Sequence, residues 1–134
     1  MADHLPPELI SKVVERLRAV ADESRVRILL RLRAGESYVT GLADELGIGQ
    51  ATVSKHLAVL KRVGLVEVDR RGTQAVYRIK DESVFEMCSI VCDGVVRHLR
   101  EEHSVLADAL DRTRRPVAKA AARTTRINAK RRPS

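Results

Sequence analysis

The spacing of apolar residues changes at Gly64, and no other feature of the sequence constrains the fold as much. Before Gly64, apolar residues recur at helical spacing in four segments, at about 7–20, 22–34, 39–47 and 50–63. After it they alternate with polar residues over 65–69 and 75–79, as half-buried strands do. The five residues between these strands include Arg70 and Arg71. The sequence therefore predicts four helices followed by a β-hairpin with a basic tip.

Helical spacing returns after the hairpin. Asp81 is placed to cap a fifth helix that we expect to reach about residue 110. The apolar stripe of this helix consists of Val84, Cys88, Val91, Cys92, Val95 and Leu99. The predicted fold is thus mainly α with one small β-hairpin, in the element order ααααββα. A winged helix-turn-helix has this order of elements: two short helices, which here meet at Gly47, followed by a basic hairpin.

Composition excludes several classes of protein. Only 2% of the residues are aromatic, so a platform that stacks single-stranded bases is not expected. No apolar run approaches the ~20 residues of a membrane-spanning helix, and no basic stretch precedes an apolar one at the N-terminus. We therefore expect neither a membrane partner nor a secretory signal. The two cysteines fit free thiols in a reducing cytoplasm.

Positive charge is concentrated in two segments. The formal net charge is +7, but residues 111–134 alone carry nine Lys or Arg and one Asp, a net charge of +8. Residues 50–80 carry a net charge of +5. This asymmetry favours binding to a polyphosphate. We predict one domain over 1–110 and a basic, disordered tail over 111–134, because the tail has no apolar face.

The helix that begins at Gln50 has the chemistry to read double-stranded DNA. An α-helix fits the major groove, and the amide of Gln50 can pair with adenine in two places. Hydroxyl and cationic groups nearby suit phosphates or base edges. The predicted DNA-binding residues are Gln50, Ala51, Thr52, Ser54, Lys55 and His56 on the helix and Arg70, Arg71 and Gln74 on the hairpin. Helix-turn-helix units also dock proteins, but the basic hairpin favours DNA.

Five stretches of the sequence carry a family resemblance. They are ADESRVRIL at 21–29, LADELGI at 42–48, ATVSKHLAVLK at 51–61, GLV at 64–66 and RGTQAVY at 71–77. Together they resemble the ArsR/SmtB family of bacterial metal- and thiol-responsive repressors, over about residues 8–105. The resemblance implies a homodimer that pairs through its first and last helices and binds an imperfect inverted repeat in operator DNA. It also implies an inducer that weakens this binding.

The same resemblance indicates which effector sites the chain lacks. Some family members carry a Cys-x-Cys pair at the start of the third helix, where this sequence has Tyr38-Val39-Thr40. Others bind zinc across paired C-terminal helices, through Asp-x-His on one chain and His-x-x-Glu or His-x-x-His on the other. His98 and Glu101 match the second half, but Phe85-Glu86-Met87 replaces the first. A complete zinc site of this kind is not expected, because zinc takes four ligands.

Cys88 and Cys92 are the remaining candidate effector residues. They are four residues apart and therefore lie on one face of the fifth helix. Thiolates bind soft ions such as arsenite, cadmium or zinc and react with oxidants, and a third thiol can come from a partner chain. Both residues also belong to the apolar stripe, where cysteine acts as a small hydrophobe. Both interpretations stay open, with His98 and Glu101 as the alternative effector site.

Two functions are consistent with these features. The first is a sequence-specific, homodimeric transcriptional repressor that needs no cofactor to bind DNA and is released by a soft metal or metalloid ion or by thiol oxidation. The alternative is a general DNA-compacting protein driven by the basic tail. An enzyme is not expected, because the sequence has no Ser/His/Asp order, no glycine-rich phosphate loop and no paired carboxylates in a predicted pocket.

Overall fold

The computed structural model describes residues 4–114, except for the side chains of 105–107. The described residues form six helices and three strands: α1 Pro7–Val20, α2 Glu23–Arg33, β1 Ser37–Tyr38, α3 Val39–Leu46, α4 Gln50–Arg62, β2 Val66–Arg71, β3 Gln74–Ile79, α5 Ser83–Glu102 and α6 Ser104–Arg114. The chain divides into two compact units after Val84. The first unit holds α1 to β3 and the first two residues of α5. The predicted basic tail lies outside the described residues from position 115 onward.

The first four helices begin and end where the sequence predicts. Asp22 caps α2, since its Oδ1 accepts a hydrogen bond from the backbone N–H of Arg25 at 3.0 Å. This bond lowers the pKa of the Asp22 carboxyl below its ordinary value. Gly47 ends α3 in the left-handed conformation, with a φ of 65°. A residue with a Cβ is strained there, so glycine fixes the sharp turn between α3 and α4.

The hairpin is longer than predicted, and it acquires a third strand. β2 and β3 pair antiparallel from Val66 opposite Ile79 to Arg71 opposite Gln74. Only Gly72 and Thr73 remain in the turn, where the sequence indicated five residues. The two-residue strand β1 pairs with the other side of β3, with Ser37 opposite Tyr77. The sheet order is therefore β1-β3-β2, and β1 places the start of α3 beside the hairpin.

The core of the first unit is aliphatic, as the composition predicts. Its fully buried side chains come from α2, α3, α4 and the sheet, and from Leu65 just before β2. They are Ile28, Leu29, Leu42, Val53, Leu57, Leu60, Leu65, Val66 and Val76. Burial of each such side chain contributes about 1.5–3 kcal/mol to folding. The packing of α2, α3, α4 and the hairpin around these side chains fixes the helix-turn-helix as a rigid support.

Two arginines cross-link the helices of the first unit. Arg16 of α1 donates to Asp81 Oδ2 at 2.6 Å and to the carbonyl oxygen of Val63 at 2.7 Å, so α1 is tied to the end of α4 and to the residues before α5. Arg31 of α2 pairs with both carboxylate oxygens of Glu45 in α3. This pairing raises the pKa of Arg31 and lowers the pKa of Glu45. Both links hold the helices that carry the helix-turn-helix.

The second unit corrects the predicted last helix. One continuous helix was expected to about residue 110, but α5 ends at Glu102 and α6 begins after His103. Two consecutive glutamates close α5, and negative charge is unfavourable at the C-terminal end of a helix dipole. α6 returns along α5 and pairs with it twice, Asp111 with Arg100 at 2.8 Å and Arg114 with Asp93. The element order therefore includes a sixth helix. Within residues 4–114, no helix combines the length and apolar character required to cross a bilayer.

Candidate nucleic-acid interface

A groove of about 430 Å³ opens between the start of α3, the start of α4 and the wing, which we define as β2, β3 and the turn between them. It is lined by Tyr38, Val39, Thr40, Gln50, Ala51, Ser54, Arg70, Thr73, Gln74 and Ala75. The lining combines amide, hydroxyl and guanidinium groups. Such groups form hydrogen bonds to base edges and phosphates.

The groove brings together five of the nine predicted DNA-binding residues. Gln50, Ala51 and Ser54 lie on one face of α4 because their spacing matches a helical turn. Arg70 and Gln74 of the wing face them across the groove. All of these residues but one are exposed or half-exposed polar side chains, and Ala51 is small enough to admit a thymine methyl.

The beginning of α4 adds to the positive character of this surface. Gly49, its N-cap residue, has no side chain to accept a hydrogen bond from the first turn. The free N–H groups and the positive end of the helix dipole therefore remain open to an anion such as a backbone phosphate. The same helix presents Thr52 and Lys55 to solvent, outside the lining of the groove. These two residues are free to contact DNA beside the groove.

His56 is directed toward α2 and not into the groove. It is half-buried, and its Nδ1 lies 3.3 Å from Arg25 Nη1. Arginine only donates, so it is Nδ1 of His56 that can accept in this contact. Arg25 also donates to the carbonyl oxygens of Ala19 and Arg18, at 2.6 and 3.3 Å. The geometry thus gives His56 a packing contact between α4 and α2.

Arg71 is engaged by acidic side chains. Its Nη1 and Nη2 donate to Oε1 and Oε2 of Glu36 at 2.8 and 3.3 Å, and its Nε lies 3.6 Å from Asp69 Oδ2. The Glu36 carboxylate raises the pKa of the Arg71 guanidinium. Sequence reasoning missed Glu36 because it lies 35 residues from its partner. Arg70, by contrast, forms no ion pair with any residue from 4 to 114.

Sequence reasoning also missed the contribution of α3 to the groove. Tyr38, Val39 and Thr40 were considered only as positions where an effector cysteine is lacking. The structure places them in the groove beside Gln50 because β1 pairs with β3. The sequence did offer one signal. Tyr38 and Thr40 carry hydroxyl groups on either side of Val39, the first residue of α3, at the edge of the predicted helix-turn-helix.

The candidate effector residues lie in the second unit. Cys88 and Cys92 are both free thiols and both half-exposed, one helical turn apart on α5. Of the alternative effector residues, His98 has its Nε2 3.4 Å from Glu102 Oε2. In the part of the chain that the structure describes, no three His, Cys, Asp or Glu side chains gather into a group able to hold a metal ion.

Comparison with known proteins places the chain in a family. Residues 22–68 match the model of the bacterial regulatory proteins of the arsR family. The HTH-type transcriptional regulator NmtR of Mycobacterium tuberculosis is 36% identical over 104 residues, which cover 78% of this chain and 83% of NmtR. The chain belongs to the ArsR family. As a member of this family it is a DNA-binding transcriptional regulator and not an enzyme.

Solved structures of transcriptional regulators share the fold. The homodimeric winged helix-turn-helix domain of Mb0332 from Mycobacterium bovis superposes with a TM-score of 0.63 at 34% identity and covers 77% of this chain and 97% of that one. The AntR antimony-specific transcriptional repressor superposes with a TM-score of 0.62 at 27% identity, covering 74% and 90%. The predicted winged helix-turn-helix and the predicted family are therefore confirmed.

Proposed function

We propose that this ArsR-family protein is a homodimeric repressor that binds an inverted repeat in operator DNA, with α4 in the major groove and the wing on the adjacent backbone. The groove that unites Gln50, Ala51 and Ser54 with Arg70 and Gln74 carries the proposal. The side of the groove formed by α4 has the hydrogen-bond donors and acceptors that distinguish base pairs. The side formed by the wing has a cation, Arg70, that can bind phosphate. Such a protein acts in the cytoplasm, where bacterial DNA lies.

Exposed apolar side chains support a homodimer. On α1 five such side chains are 37–47% exposed: Leu9, Ile10, Val13, Val14 and Leu17. On α5 the exposed fractions are 73% for Ile90, 59% for Val91 and 50% for Val95. Apolar surface of this extent marks an interface. Mb0332 is described as homodimeric, and a second copy of this chain is the partner that we propose for both helices.

A two-fold dimer explains an inverted repeat. The two copies of α4 then enter successive major grooves about 34 Å apart, and each reads one half-site. The interface doubles the number of phosphate and base contacts, which brings sequence-specific affinity into the range of a repressor. General DNA compaction by the basic tail finds no support among the matched proteins, which are transcriptional regulators.

We further propose that Cys88 and Cys92 form the effector site, with one or more ligands from the second chain. Two thiolates on one helix face suit a soft metalloid, and AntR is described as specific for antimony. Two ligands do not complete a site, so the proposal requires α5 of both chains to contribute. An oxidant acting on the same thiols is the second candidate.

Selection of binding sites from a random duplex library tests the DNA-binding proposal. We expect enrichment of one inverted repeat whose half-site centres are about one helical turn apart. Sedimentation of the protein alone should give twice the 14.9 kDa mass of one chain. Recovery of unrelated sequences, or a monomer that remains monomeric on the DNA, would contradict the proposal.

A further inference from the structure

Glu36 lies where it can compete with DNA for the wing. It precedes β1, and β1 joins the sheet beside β3, so its carboxylate reaches the outer end of the hairpin. There it receives two hydrogen bonds from the Arg71 guanidinium, at 2.8 and 3.3 Å. This paired geometry is the one in which arginine also binds a phosphate group. The carboxylate thus occupies two of the donors that a DNA phosphate would use.

Both partners are accessible to a competing anion. The side chain of Arg71 is 48% exposed and that of Glu36 is 41% exposed. An ion pair at this exposure contributes little, so a strong external anion can exchange with it. Arg71 stands directly opposite Gln74, a residue that lines the groove. The pair therefore lies at the edge of the proposed DNA-binding surface.

We propose that Glu36 is a phosphate surrogate that limits the affinity of the wing for DNA backbone. Arg71 can turn this paired Nη edge to a phosphate only by leaving Glu36, and the displaced carboxylate then repels the same backbone. Glu36 thereby weakens the binding of any DNA that the protein holds through backbone charge alone. DNA whose bases also contact the groove can compensate through α4. Glu36 is thereby a specificity-determining residue, and this inference rests on the proposed DNA-binding function.

The experiment compares Glu36→Gln with a matched control. Glu67→Gln removes the same charge from the wing itself, and Glu67 also pairs with a wing arginine, Arg78, at 2.8 Å. The side chain of Glu67 is 41% exposed, the same fraction as Glu36. The probe is a 30-base-pair duplex of random sequence, titrated by fluorescence anisotropy at several salt concentrations. Thermal unfolding of each variant verifies that the fold is retained.

We expect Glu36→Gln to bind the random duplex about two- to five-fold more tightly than the unchanged protein, the range that corresponds to a weak surface ion pair. The plot of log affinity against log salt should steepen, by up to about 0.9 for each extra phosphate contacted. Glu67→Gln should change affinity by less than the Glu36 variant does. In an Arg71→Ala background the gain from Glu36→Gln should disappear.

Several results would overturn the inference while leaving the proposed function in place. Equal gains for the two glutamine variants would mean that net charge alone matters. A gain that persists without Arg71 would mean that Glu36 acts on another group. Weaker binding by Glu36→Gln would mean that Glu36 orients Arg71 for DNA. If the unchanged protein and every variant failed to bind any duplex, the proposed function would be lost together with this inference.

Discussion

At the scale of single residues, the proposal gives base reading to Gln50 and phosphate binding to cationic side chains such as Lys55. Replacing Gln50 with Ala should weaken binding to the selected operator by about 1–3 kcal/mol, because its amide is the best base-reading group in the groove. Binding to random duplex should change much less. Lys55→Ala is the control, since a phosphate contact lowers both affinities alike. Competition titrations with both duplexes measure the ratio of operator affinity to random-duplex affinity. If Gln50→Ala lowered both affinities equally, Gln50 would not be a base-reading residue.

Asp81 makes stability depend on pH. Hydrogen bonds from Ser83 and from Arg16 lower the pKa of the Asp81 carboxyl from 3.8 to about 2. Since the folded state favours the ionised form, the stabilisation is complete above pH 3.8 and is lost as the pH falls toward 2. Asp81→Asn should therefore lower the free energy of unfolding at pH 7 by about 1 kcal/mol, a value reduced for solvent screening of a partly exposed pair. Urea unfolding of both proteins between pH 7 and pH 3 measures this difference in the free energy of unfolding. A difference between the two proteins that does not shrink with falling pH would contradict this assignment.

At the scale of elements, the turn between α3 and α4 determines how α4 is presented. Gly47 has a φ of 65°, and no atom lies within 4 Å of the position that a Cβ would take. The effect of Gly47→Ala is therefore one of backbone strain, about 1–2 kcal/mol. Gly47→Asn is the matched control, because asparagine tolerates the left-handed conformation better. Denaturant midpoints should fall in the order Gly, Asn, Ala, and equal midpoints for Asn and Ala would show that strain is not the cause.

Most elements were predictable because their signals are local. The cap at Asp22 and the left-handed Gly47 set helix ends through adjacent residues. The features that the sequence did not reveal depend on distant partners. β1 is two residues long and exists as a strand only through its pairing with β3, and α6 is held along α5 by the pairs of Asp111 with Arg100 and of Arg114 with Asp93. No local period encodes such pairings.

The candidate site follows the same division. The sequence predicted the residues of α4 and the wing because a helical face and a basic hairpin are visible in the printed chain. It did not predict that Arg71 is held by Glu36 or that His56 contacts Arg25, since both contacts join elements more than 30 residues apart. The residues of the groove contributed by α3 were missed for the same reason.

At the scale of the whole molecule, the proposed switch couples α5 to α4 in a dimer. If Cys88 and Cys92 hold a soft ion, arsenite or cadmium should lower operator affinity by about 5- to 150-fold, the usual size of such coupling. Cys88→Ser should abolish the response and leave DNA binding without the ion nearly unchanged. Cys92→Ser is the companion variant. If a double Cys→Ser protein still lost operator affinity on addition of the ion, both cysteines would be packing residues. The effector site would then lie at His98 and Glu101.

The central claim is that one dimer reads one inverted repeat through its two α4 helices. Hydroxyl-radical footprinting on the selected operator, at a protein concentration just above saturation, tests it most directly. The account predicts two protected regions of backbone that are related by a two-fold axis and centred about one helical turn apart. Continuous protection that extends along the duplex as protein is added, with no symmetric boundary, would contradict it.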